Sequence, residues 1–270
     1  MRHVLPGLLS FGLAACPPAV MPDAGAGAAD AGIDGGLSDA GVPDAGGWVA
    51  LFNGTDLSGW HSWMGKPSSN PQANEQVIGL DNDPYGVFSV GARDGEPTIH
   101  VTGQVFGALI SDQEFGDFEL ELQYHWGTRT WPPLNFLDSG LMYVSVGPYG
   151  AVNAGGPALV DPIGTGGFLV SMEFQIAGTS TGTAPNLGPI SFTRVSTAPG
   201  QERAGWNDVR VEVRDGGATH WLNGVKTAVI SDFVLTMPGQ GPVPLRRGRL
   251  QLQSEGGEID FRRVRIRSLE

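Results

Sequence analysis

Cysteine is nearly absent from this chain: Cys16 is the only one in 270 residues. A single thiol cannot form an internal disulfide, so whatever folds must be stabilised by a packed core. Basic charge is scarce as well. Sixteen Lys and Arg stand against 28 Asp and Glu, a formal charge of −12. Nucleic acid draws proteins through a basic stripe that meets its phosphates, so this balance argues against such a partner. The one basic run, Arg262, Arg263, Arg265 and Arg267, falls in an alternating pattern that suits a solvated strand face. His61, His100, His125 and His220 form no HxH, HxxH or HExxH grouping, which leaves a structural zinc site without support. The Gly-x-Ser-x-Gly elbow of serine hydrolases is missing. So is an E-x-D-x-E strand that would carry the close carboxylate pair of a retaining glycosidase. Finally, beyond Phe52 no run of ten or more residues keeps a helical period.

What is present begins with an address. Arg2 and His3 precede an apolar run over residues 4–15, shorter than the roughly 20 residues a bilayer span needs. The run reads as a signal-peptide core. It ends in Leu13-Ala14-Ala15-Cys16, the arrangement at which bacterial lipoproteins are acylated. A plain secretory signal with an incidental cysteine is the other reading. On the lipobox reading Cys16 is the lipidation site. The protein is then expected in a bacterial cell envelope, facing the periplasm or the exterior and touching the membrane through its anchor alone.

Residues 17–47 are Ala, Gly, Asp and Pro with hardly a large apolar side chain. Pro22-Asp23-Ala24-Gly25 returns as Pro43-Asp44-Ala45-Gly46. Such a segment cannot bury enough surface to offset its ordering entropy, so it reads as a disordered, self-repelling tether. A single folded domain is expected over residues 48–270. There the period is two. Phe118, Leu120, Leu122, Tyr124 and Trp126 alternate with Glu119, Glu121, Gln123 and His125, and Val209, Val211 and Val213 alternate with Arg210, Glu212 and Arg214. Ile259 and Phe261 keep one phase and Val264 and Ile266 the other, which predicts a β-bulge between them. Turn signals stand at residues 91–95, at Asp215-Gly216-Gly217, at Asn223-Gly224 and at Gly256-Gly257. With 42 glycines and 20 prolines, the chain reads as all-β: two packed antiparallel sheets. Residues 147–167 are too irregular for a strand and long for a connection.

Several phrases, in order, resemble one family. They are Leu51-Phe52-Asn53-Gly54-Thr55-Asp56-Leu57-Ser58-Gly59-Trp60, Phe115-Gly116-Asp117-Phe118-Glu119-Leu120, Asp138-Ser139-Gly140-Leu141, Glu173-Phe174-Gln175-Ile176 and Gly205-Trp206-Asn207. Leu222-Asn223-Gly224, Leu250-Gln251-Leu252-Gln253 and Phe261-Arg262-Arg263-Val264-Arg265-Ile266 complete the series. The family is the 3-keto-disaccharide hydrolase domain, and the resemblance spans residues 48–270. It implies a concanavalin A-like jelly roll in an exported bacterial protein, often a lipoprotein. The implied activity is cleavage of 3-keto-glycosides by elimination and hydration. That chemistry needs a base near C2 and a group that polarises the ketone, often a divalent metal such as Mn, Co, Ca or Zn.

Glu173 and Gln175 are two apart and share a strand face, so with the resemblance they are the expected catalytic pair; a strand with one wet face is the plainer reading. Asp138 and Ser139 are expected to bind substrate, though Asp138 also suits a turn. Glu255 stands where relatives carry a histidine and, with Glu173, is the expected metal ligand. Trp131 and Tyr143 are candidates for stacking on a sugar ring, with Trp126 and Tyr149 behind them. Three departures from the family pattern, near Val144, at Ala177–Gly178 and at Glu255, set against turnover a second function: a lectin-like module that binds oligosaccharide without cleaving it.

Overall fold

The alternating runs become strands of a computed structural model that describes residues 43–67, 75–152 and 164–270. Cys16, the signal segment and the tether to residue 42 lie outside the described residues, as do residues 153–163 of the irregular segment. Seventeen strands and a single 3-10 turn, Gly178–Ser180, make up the regular structure among the described residues.

One sheet runs β11 (Ile190–Thr197), β14 (Val225–Leu235), β13 (Gly217–Leu222), β12 (Asn207–Arg214), β7 (Phe118–Thr130), β17 (Gly257–Ser268), β5 (Glu96–Val101) and β4 (Phe88–Arg93). Two short strands join it, β1 (Val49–Ala50) on β17 and β15 (Val243–Pro244) on β14. The second sheet runs β10 (Asn186–Leu187), β9 (Val170–Ile176), β8 (Ser139–Val146), β16 (Gly248–Ser254), β6 (Gly107–Phe115), β2 (Trp60–Met64) and β3 (Gly79–Leu80). The pairings are antiparallel throughout. This is the expected two-sheet jelly-roll sandwich.

The core lies between the sheets and contains Phe118, Tyr124, Tyr143, Phe174, Phe233 and Phe261. One polar bond crosses it. His220 Nδ1 faces the Gly182 carbonyl at 3.2 Å, which leaves Nε2 to accept from the Tyr143 hydroxyl at 2.7 Å. Burial pushes His220 down to about 4, so the ring stays neutral and the pair is satisfied without charge.

Three hairpins close on two-residue turns, Asp94-Gly95, Asp215-Gly216 and Asn223-Gly224, all with positive φ. A turn of this kind matches the twist of its flanking strands, and Asn or Asp followed by Gly tolerates the left-handed backbone. The first turn is tighter than residues 91–95 suggested, because β4 continues to Arg93. The phase switch near the end of the chain is the predicted bulge: the register of β17 against β7 shifts between Arg262 and Arg265, with Arg263 at φ 52°.

Arg263, Arg265 and Arg267 of the basic run lie on a solvated strand face, as their spacing suggested, whereas Arg262 is buried. Arg262 and Arg263 meet Glu96, Arg265 meets Glu121, and Arg267 and Arg210 close on Glu119. Trp rings lie under the guanidinium groups: Arg262 sits 3.8 Å from the Trp206 ring centre and Arg210 3.9 Å from that of Trp221. Before β1, Asp44 in the last tether repeat accepts from the amides of Gly46 and Trp48 at 2.7 and 3.0 Å.

Candidate active site

The site is built by alternation on three neighbouring strands of the seven-stranded sheet. Tyr143 reaches His220 in the opposite sheet, so odd-numbered side chains at the start of β8 face the core. Gly140 and Met142 therefore face the other way. The register sets Gln175 opposite Gly140 and Glu173 opposite Met142, and Gln251 opposite Met142 on the other side. Gln253 follows Gln251 in phase. Glycine at position 140 is what lets these groups meet: a Cβ there would fall 2.2 Å from Glu173 Oε1 and 3.0 Å from Gln253 Oε1. The carboxyl from β9 and the amide from β16 close over β8 because β8 has no side chain at that point.

Two more carboxyls complete the group. Asp138 precedes β8, and its Oδ1 accepts from Gln175 Nε2 at 3.2 Å. Glu255 follows β16, and its Oε2 accepts from Gln253 Nε2. The two connecting segments are tied by a bond from the Gly257 amide to the Asp138 carbonyl. Glu173 is 3% exposed, while Asp138 and Glu255 are 9% and 8% exposed at the rim.

The electrostatics follow from what is missing. Burial pushes Asp138 up to about 7. Burial first, then the charge of Asp138, pushes Glu255 up to about 8. Glu173 is raised well above the usual carboxylate range by burial, then by Glu255 and Asp138. No cation acts on any of them among the described residues. Asp138 and Glu255 thus hold their protons up to near-neutral pH, and Glu173 is held still more firmly in its neutral form.

The structure brings together four of the residues read from sequence: Glu173, Gln175, Asp138 and Glu255. It places two others elsewhere. Ser139 is buried on the core side, with its Oγ donating to the Gln253 carbonyl at 2.8 Å. Tyr143 is in the core, so neither it nor Ser139 faces the site. Trp131 lies at the rim: its amide donates to the Gly256 carbonyl beside Glu255, and its Nε1 to Thr102. Trp126 donates to Glu202, and Tyr149 stacks on Trp63. Gln253 and Gly140 were not singled out from sequence as site residues, although Gln251, Gln253 and Glu255 share one phase.

A divalent ion does not fit this donor set. Among the described residues no three His, Cys, Asp or Glu side chains are grouped to hold one. Amides already occupy one oxygen each of Asp138 and Glu255. The histidines among the described residues are engaged elsewhere: His61 with Asp81 and Asp112, His100 with Asp260, His125 with the Trp126 carbonyl, and His220 with Tyr143. An open groove of about 660 Å³ on the ten-stranded sheet is lined by Trp221, Glu121, Arg210, Arg263 and Arg265. Its charged groups named here are ion-paired, and it offers no counterpart to the carboxyl cluster.

No curated protein matches the chain. A Parabacteroides distasonis structure, provisionally assigned as a glycosyl hydrolase, is 18% identical over 84% of this chain and 95% of its own, with a TM-score of 0.45. A second from that organism is 20% identical over 82% and 99%, with a TM-score of 0.45. The carbohydrate-binding module CBM66 of Bacillus subtilis is 11% identical over 67% and 92%, with a TM-score of 0.41. The model of the 3-keto-alpha-glucoside-1,2-lyase-like domain matches residues 47–267. A carbohydrate-active protein, this chain belongs to the 3-keto-alpha-glucoside-1,2-lyase-like domain family.

Proposed function

We propose that this protein cleaves glycosidic bonds of sugars oxidised at the 3-position, by elimination followed by hydration. The observation that carries the reading is the cluster of Asp138, Glu173 and Glu255, three carboxyls gathered without a cation on one sheet face. The ketone at C3 makes the C2 proton acidic. A base removes it, and the C2–H electron pair becomes the second bond between C1 and C2. The C1–O pair leaves with the departing oxygen, which takes a proton from an acid. Water then adds across the double bond and gives the free 3-keto sugar.

Two carboxyls with separated proton affinities suit these two tasks. Asp138, pushed up to about 7, is the base, and Gln175 orients it. Glu255, pushed up to about 8, is the acid. Gln253 donates to its Oε2, which leaves the proton on Oε1, free to transfer. Trp131 is the rim aromatic assigned to sugar stacking. Cys16 would hold the domain to a bacterial membrane, facing the periplasm or the exterior; Cys16→Ser should then move the protein from the membrane to the soluble fraction.

The test is incubation with 3-keto-trehalose or a 3-keto-glucoside while sugar release is measured. Asp138→Asn should lower turnover by about 10²–10⁴-fold with substrate still bound. Binding without release by the unaltered protein would overturn the enzyme reading and favour a lectin-like module.

A further inference from the structure

Glu173 Oε1 and Gln253 Oε1 are both buried, and neither has a hydrogen-bond partner among the described groups. They converge on the space above Gly140. Two acceptor oxygens cannot bond each other, and each left unsatisfied carries a desolvation cost. Flipping the amide only moves the proton: Gln253 Nε2 would then meet an ionised Glu173, and Glu255 would have to donate its O–H to the carbonyl oxygen, an arrangement in which Glu173 gives no protonated-carboxyl band. One proton placed between the two oxygens satisfies both.

The neighbourhood supports that placement. The charged groups facing Glu173 are Asp138 from the β8 side and Glu255 from the β16 side, and both disfavour a further negative charge. Tyr143, on the core side, is kept neutral by burial. Gln251, two residues along the same strand, shows the alternative. Its Nε2 donates to Ser145 and Ser171 and its Oε1 accepts from the Leu169 amide at 3.1 Å. The strand thus carries one amide that is satisfied as drawn and one that requires a proton from its neighbour.

We propose that Glu173 is a neutral positioning acid: its carboxyl O–H donates to Gln253 Oε1 and so fixes the amide with Nε2 aimed at Glu255. Glu173 acts through Gln253 and is not the base. Where the proton sits is independent of the substrate. The effect on turnover rests on the function proposed above.

Two measurements on the full chain separate these levels. Isotope-edited infrared spectra of protein carrying labelled Glu, taken at about pH 9, lie above the ionisation of Glu255 at about 8. A protonated-carboxyl band should persist there and vanish in Glu173→Gln. Its absence from the unaltered protein, or its survival in the variant, would overturn the proposal whatever the substrate proves to be. The second measurement compares two substitutions. Glu173→Gln keeps an N–H donor for Gln253 and should retain at least about tenfold more turnover than a variant without one. Glu173→Met removes the donor and should cost about a hundredfold through misplacement of Glu255. Complete loss in the folded Gln variant would instead make Glu173 the base. If the unaltered protein turns over no 3-keto-glycoside while the infrared band is present, the substrate reading fails and the proton placement stands.

Discussion

Glu119 and Glu173 are both glutamates within strands, 5% and 3% exposed, and their surroundings could hardly differ more. Glu119 lies beneath Arg210 and Arg267. Its neighbours Glu121, Glu96 and Asp260 have arginines of their own. Glu173 has an amide oxygen, two other carboxyls and no cation. On the ten-stranded sheet, Asp260 is held below its ordinary range: burial opposes ionisation, but bonds from His100 and Arg93 outweigh it. On the seven-stranded sheet every shift in the cluster runs upward. The same side-chain chemistry therefore has its charge balanced where cations are supplied and its proton affinity raised where they are withheld.

The sharpest way to break this contrast is to fill the space that lets the cluster form. Gly140→Ala should lower turnover by about a hundredfold, because its Cβ would fall 2.2 Å from Glu173 Oε1. The displaced atom ends a flexible side chain, so the stability loss should be smaller, about 1–2 kcal/mol by chemical denaturation. A larger stability loss than this, with activity retained, would show that Gly140 serves packing and not the site.

A second effect is a difference in sign with pH. Asp138 and Glu255 bind protons more tightly folded than unfolded. Their contribution is full below the ordinary carboxylate value of about 4 and is lost as pH rises through about 7 and 8. Asp260 runs the opposite way; its contribution is present above 3.8 and fades as pH falls below it. Thermal midpoints between about pH 5 and 9 should decline in the unaltered protein and less steeply in Asp138→Asn/Glu255→Gln, where Glu173 still holds its proton. An equal decline in the double variant would remove Asp138 and Glu255 as its source.

The smallest effect belongs to the solvated face. Arg263→Ala breaks an exposed pair with Glu96 and should cost less than about 1 kcal/mol. A loss of several kcal/mol would mean that the outer lattice acts as one network.

These two faces also differed in how plainly they could be read. Alternation in β7 and β12 is visible because one side of each strand is polar, and the hairpins and bulge follow from local turn chemistry and phase. In β8 and β9 nearly every residue is buried, so the contrast that reveals phase is lost. Ser139 and Tyr143 therefore looked as eligible as Asp138, although one residue of phase turns both towards the core. Glu173, Gln175, Asp138 and Glu255 could be named from chemistry and family pattern. Gly140 and Gln253 matter only through strand pairing, which brings residues 140, 173 and 253 together across more than a hundred positions.

The Asp44 turn has a mechanical consequence. The chain after it leads straight into β1, whose two residues pair with Ile266 and Arg265 of β17, while Trp48 is flanked by Arg265 and Arg267 at 4.6 and 4.8 Å. A load applied at Asp44 would thus reach a two-residue clasp beside β17 first. The carboxyl cluster lies on the other sheet, apart from that clasp.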